Sequence, residues 1–219
     1  AAAVQTAQKE RITDQFALEK NVSGVWGEEE VQYISVHVPQ LECDSPDAAS
    51  INDELNDIYA EHFREYEAYE EAGQPGSEYP QIGVNWDAYW YGDCVSLVMC
   101  DRYDGTAPWY YSGWCFDFAS GNQLTVNQLL QRMGADPAAL EEALYRDVKR
   151  RDELDRQAAI ERGLLPTGSL TEGNTAWWTS LDELPFSLDG KGNISFVVRR
   201  FSADREQYVS DVPVIPLDA

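Results

Sequence analysis

Residues 116–130, FDFASGNQLTVNQLL, constrain the fold more tightly than any other stretch of the chain. Phe116, Asp117 and Phe118 alternate as strand residues do, and a Ser-Gly-Asn turn follows. Thr125 stands three residues before Gln128, the spacing of a capping box. The hydroxyl accepts a free helix amide, and the glutamine side chain returns to the Thr125 amide. Leu124 just outside the helix and Leu129 just inside it form a hydrophobic staple. Any fold containing this segment must therefore turn a strand almost directly into a short helix.

The rest of the chain supplies matching elements. VQYISVHV (31–38) alternates and is β-rich, so it reads as a strand, and His37 is simplest as one of its residues. A helix is predicted from Ser45-Pro46-Asp47, with Ile51, Leu55, Ile58, Tyr59, His62, Phe63 and Tyr66 as its apolar stripe. His62 on that stripe reads as a packed, hydrogen-bonded histidine. Glu61, Glu65, Glu67, Glu70 and Glu71 make the helix end strongly acidic, and GQPGSEYP breaks it. VNWDAYWYGD, CVSLVMCDRY and WYYSGWCFDF follow as three strands of an antiparallel meander. In the third, Trp114, Phe116 and Phe118 share one face, expected to meet a helix, opposite Gly113, Cys115 and Asp117.

After the capped helix and Gly134, Asp136-Pro137 opens a longer helix, with aspartate as cap and proline in the first turn. Leu140, Leu144 and Val148 form its buried stripe, and KRRDELDRQ reads as a solvated face held by pairs three or four residues apart. LPFSL and NISFVV read as a hairpin, and PVIPL as an edge strand, because two prolines would interrupt a central one. The expected fold is α+β: an antiparallel sheet, meander plus C-terminal hairpin, packed against two long helices. At 219 residues, folding buries roughly 70% of the chain's surface. One domain and two closely packed subdomains are both open. The subdomain division falls at 1–29 (N-terminal extension or linker), 30–105 (α+β) and 106–219. The first ten residues, AAAVQTAQKE, read as a trimmed or tagged start, from which an export signal or anchor would have been removed.

Charge narrows the partners. With 39 acidic against 16 basic residues, the net charge is −23. Nucleic acid and anionic membranes are poor partners, since both require lysine and arginine to meet phosphate. A cationic protein or peptide would be attracted, with a strength that falls with salt. Solubility alone also accounts for the acidity.

The cysteines are Cys43, Cys94, Cys100 and Cys115. With no C-x-x-C pair and two histidines, a zinc site is not indicated, and no cofactor is implied. An even cysteine count fits an oxidising compartment. Cys94 and Cys100 on one strand are separated by roughly 20 Å, beyond disulfide reach. Cys100 and Cys115 flank the YDGTAPWYY loop and point to a cross-strand bridge, leaving Cys43 with Cys94.

The order strand, long helix, meander, FDFASGNQLTVNQLL, amphipathic helix, hairpin and VPVIPLD resembles the RsiV-like family. This is the extracytoplasmic domain of RsiV-type anti-sigma factors, also found ahead of the catalytic domain in PdaC-type peptidoglycan deacetylases. The resemblance rests on Phe116-Asp117-Phe118, Ser120-Gly121, Leu124-Thr125 and Leu129-Leu130 and covers roughly residues 30–217. It implies a domain outside a bacterial cytoplasmic membrane, tethered by a missing N-terminal segment, with a binding or sensing role; lysozyme is the partner associated with RsiV-type members. Family members often carry a glycine-rich, histidine-containing segment where this chain has Thr106-Ala107-Pro108-Trp109-Tyr110-Tyr111.

No G-x-S-x-G, H-E-x-x-H, P-loop or G-x-G-x-x-G is present, so a binding role is expected rather than catalysis. For a cationic, lysozyme-like partner, the candidate anchors are Trp109, Tyr110 and Tyr111, with Glu67, Glu70 and Glu71 supplying charge. The alternative is a carbohydrate or peptidoglycan-binding module, using Trp86, Trp90, Trp177 and Trp178 as stacking faces. Core packing is the simpler reading of Trp86, Trp90 and Trp114.

Overall fold

A computed structural model of the chain describes residues 10–23, 31–71, 83–102, 110–165, 178, 180–188, 193–202, 207–211 and 213–216. The fold is α+β, with a curled six-stranded sheet, a separate three-stranded sheet and three α-helices. The first sheet contains β1 (Ile12–Ser23), β2 (Val31–Leu41), β3 (Gly83–Tyr91), β4 (Cys94–Arg102), β5 (Tyr110–Asp117) and β6 (Asn122–Leu124), in that spatial order. The expected meander is β3–β4–β5, paired antiparallel as Trp86↔Met99 and Leu97↔Trp114.

Two expectations about the sheet are corrected. First, it is mixed: β2 and β3 run parallel through Ser35↔Gly83 and Val36↔Val84. Parallel neighbours need a long crossover, and α1 (Pro46–Glu71) supplies it. Second, the C-terminal hairpin lies outside this sheet. β7 (Phe186–Leu188) and β8 (Asn193–Phe196) pair antiparallel, and β11 (Val214–Pro216) adds to β8 as an edge. β9 (Val198–Ser202) and β10 (Gln207–Asp211) form a two-stranded ribbon that the sequence reading left unassigned. Part of the 1–29 stretch read as extension or linker is strand: β1 pairs with β2 along its length, with an irregularity between Asp14 and Phe16.

Alternation along β4 explains how the layers assemble. Val95, Leu97 and Met99 join Trp114 and Phe116 in one core, against Ile51, Leu55 and Tyr59 of α1. The aromatic face of β5 therefore meets a helix, as expected. Its other face is not solvated, however. Cys94 and Cys115 join a second core with Leu129 and Leu130 of α2 (Val126–Arg132), Leu140, Leu144 and Val148 of α3 (Pro137–Glu161), and Phe186 and Phe196 of the second sheet. A strand covered on both faces reads as a continuous apolar run, and residues 94–99 of β4 are all buried. The one polar member, Ser96, donates to the Phe186 carbonyl at 2.9 Å. Gly113 permits this close approach, since a Cβ there would lie 3.2 Å from Pro185.

The helix signals are realised in atomic detail. Thr125 Oγ1 accepts from the Gln128 amide at 3.1 Å, while Gln128 Oε1 accepts from the Thr125 amide at 2.9 Å. Leu124 and Leu129 are both buried in the second core, where the staple places them. Asp136 caps α3 through the Ala138 amide, with Pro137 in the first turn. On α1, Ile51, Leu55 and Tyr59 are buried but Ile58 is 44% exposed. Ile58 lies about 100° around the helix from Tyr59, so it falls off the stripe as the contact line drifts. The side chains of His62, Phe63 and Tyr66 lie outside the described residues. On α3, Asp147 pairs with Arg150 and Arg151 as expected, but Arg156 and Asp152 are mostly covered rather than solvated. Among the described residues, no helix is long and apolar enough to cross a membrane.

Candidate functional site

Two side-chain ties set the direction of α1 across the sheet. Trp114 Nε1 donates to Glu54 Oε2 at 3.0 Å, and Tyr59 shares a 2.8 Å hydrogen bond with Ser112. From the first tie to the second, α1 advances five residues, about 7.5 Å. β5 moves back two residues, about 6.6 Å. Helix and strand are thus antiparallel and in step. Glu67, eight residues beyond Tyr59, lies about 12 Å further along, at the end of the sheet where β4 hands over to β5. Tyr110 and Tyr111 are the first two residues of β5, and Glu70 and Glu71 the last two of α1. The backbone thus carries the two halves of the expected binding set to one end of the molecule. Glu67 is exposed there. Trp109, and the side chains of Tyr110, Tyr111, Glu70 and Glu71, lie outside the described residues.

The tryptophans weighed as sugar platforms are otherwise employed, Trp86 and Trp90 in the core packing that is the simpler reading of both. Trp90 stacks on Phe118 with centroids 5.5 Å apart, and Arg11 lies 5.5 Å over the same Phe118 ring. The Trp86 indole donates to Asp14 Oδ1 at 2.7 Å, and His37 Nδ1 sits 3.0 Å from Asp14 Oδ2. Both indoles pack against the first core, and Trp114 is buried within it. Trp177 lies outside the described residues. Trp178 is half-buried against the second core.

The strand-to-helix junction holds a buried ion pair that sequence reading did not identify. Asp117, 5% exposed, accepts from Arg132 Nη1 at 2.5 Å, Ser120 Oγ at 2.7 Å and the Ala119 amide at 3.0 Å. Burial works to raise its pKa. The Arg132 and Ser120 hydrogen bonds, with that amide, outweigh burial and hold the carboxyl down at about 2. Three donors on its two oxygens tie Asp117 to the junction as a latch. The available signal was an acid on an inward-facing strand position, which requires a partner when buried.

The cysteines correct the expected bridges. Cys115 lies across from Ser96, and Cys100 across from Tyr111, so the two sit four positions out of register. Cys43 packs against the first core and Cys94 in the second, on opposite faces of the sheet. None of the four is in a disulfide. Burial pushes the Cys115 thiol up to about 12 and raises that of Cys94, which accepts a 3.4 Å contact from Arg132. Among the described residues, no cluster of three or more histidines, cysteines or acids has the geometry to hold a metal ion.

Two concavities are lined by described residues. A cleft of about 350 Å³ is lined by Cys115, Thr125 and Asp182 among others. The Asp182 carboxylate is committed to the Asn127 amide and side chain at 2.9 and 3.1 Å. A larger open groove, about 490 Å³, lies between α3 and Trp178, lined by Ala138, Glu141, Glu142 and Tyr145. Those four recur at helical spacing on the flank of the Leu140–Leu144–Val148 stripe, a pattern legible in sequence but not singled out. No family model matches the chain, and no curated protein matches it.

Proposed function

We propose that this chain is a non-catalytic recognition domain of the RsiV-like kind, working outside the cytoplasmic membrane and binding a cationic protein such as lysozyme. One observation carries the reading. The acidic last turns of α1, with Glu67 exposed, run to the same end of the sheet as the start of β5, where Tyr110 and Tyr111 lie. Carboxylates beside aromatic residues suit a basic surface: the charge steers encounter, and a few desolvated anchors set affinity. A net charge of −23 extends that steering over the whole domain. The sugar-binding alternative loses support at Trp86 and Trp90, which both pack against the core.

Calorimetric titration with lysozyme and with soluble peptidoglycan fragments, each at two ionic strengths, tests the reading. Lysozyme binding that weakens steeply with salt, and weakens again when Glu67, Glu70 and Glu71 become glutamine, is the expected result. Salt-insensitive binding of the fragments alone would transfer the role to glycan recognition. Binding of neither would remove this reading.

A further inference from the structure

We infer that the groove between α3 and Trp178 is a separate binding site for an organic ammonium group. α3 packs in the second core, on the opposite face of the first sheet from α1.

The walls are aromatic. Tyr145 is 53% exposed although its neighbour Leu144 is completely buried, so a large ring stands at the groove with solvent against it. Trp178 faces it, half-buried, its inner part packed against the second core and therefore held in place. Indole and phenol faces attract cations through the ring quadrupole, and an ammonium is the group that gains from two such walls at once.

The mouth is anionic. The Glu141 side chain has no hydrogen-bond or ion-pair partner among the described residues. Glu142 has a single long contact, 3.9 Å to Arg146, with both side chains largely exposed. A neutral sugar would use the rings and leave this charge unanswered. A bare metal ion would use the carboxylates and waste the rings. An alkylammonium, free or at the tip of a lysine side chain, uses both. The volume of about 490 Å³ lies within the range of small-ligand sites.

The test titrates n-butylammonium, a tetralysine peptide and n-butanol into the whole chain, following the tryptophan indole ¹H–¹⁵N signals. Both cations should shift the Trp178 signal and butanol should not. Tyr145→Ala and Glu141→Gln are surface changes that leave the core intact, and each should weaken binding about fivefold. Glu67→Gln, on the other side of the sheet, should leave it unchanged. Binding of both cations assigns the site to ammonium as such; binding of the peptide alone assigns it to a lysine side chain in an extended partner. Equal binding of butanol, or insensitivity to both groove variants, would overturn the proposal. So would a Glu67→Gln effect as large as that of Glu141→Gln, or failure of both cations to bind.

Discussion

Replacing Asp117 by asparagine separates the electrostatic value of the buried latch from its shape. In the folded chain the carboxyl has a pKa of about 2, against an unfolded value near 3.9. A depression of that size corresponds to roughly 2.5 kcal/mol of stability at neutral pH. Removing one partner of a fully buried pair costs more, about 3–5 kcal/mol. Here, however, the Arg132 side chain is 44% exposed and rehydrates when its partner is lost, so the smaller figure applies. The sign follows from the direction of the shift. A depressed acid stabilises the fold above its unfolded pKa, and the contribution disappears as pH falls through the folded value. The difference between wild type and Asp117→Asn should therefore be roughly 2.5 kcal/mol at pH 7, fall to about half by pH 3, and drop to about 0.4 kcal/mol by pH 2. Urea unfolding followed by circular dichroism at each pH measures it. Taking the difference between the two proteins cancels the titration of the other carboxylates. A gap that persists unchanged at pH 2 would mean the variant suffers from packing, not charge. A gap below about 0.5 kcal/mol at pH 7 would place the pair with ordinary surface ion pairs.

Two further outcomes follow from the same corner. Thr125→Ala removes one half of the capping box and should cost about 1 kcal/mol in urea unfolding at pH 7; a loss below about 0.3 kcal/mol would mean that neighbouring groups take over the cap. Iodoacetamide on the native protein at pH 8, read by peptide mass spectrometry, should modify the half-exposed Cys43 and Cys100 before Cys94, and Cys115 last, its thiol buried and held at about 12. Early labelling of Cys115, or recovery of a Cys100–Cys115 bridged peptide, would refute the register of β4 and β5.

What could be read from sequence was what local chemistry decides. The capping box, the Asp136-Pro137 start, the alternation of the meander and the Ile51–Leu55–Tyr59 line each need only neighbours within a few residues. The misreadings share a different cause. β1 carries Asp14, Glu19 and Lys20, and its register breaks between Asp14 and Phe16, so no clean period survives to mark it. The parallel contact of β2 with β3 spans two residue pairs and is set by where α1 returns the chain. The Cys100–Cys115 pairing failed because loop flanks do not fix register. β5 begins pairing at Tyr110 against Asp101, which carries Cys115 four positions past Cys100. The second sheet is built from strands of three and four residues, whose pairing depends on the core beneath them.

The opening junction gains a physical explanation from Asp117. A strand that places an acid toward a covered face needs a cation delivered to the same spot. Thr125 starts α2 at a set position, and seven residues later its last turn presents Arg132 to Asp117 and Cys94. The other side of the corner is tied as well, because the Gln123 amide donates to Asp47 in the first turn of α1 at 2.8 Å. The strong local coding therefore joins the layers on both faces of the sheet at one corner. The surfaces proposed for binding lie elsewhere, at the far end of α1 and on the outer flank of α3. Exposed side chains such as Glu67, Glu142 and Tyr145 carry no folding penalty for being placed otherwise. That is why scaffold residues announce themselves in sequence while Glu141 and Tyr145 pass as ordinary helix surface.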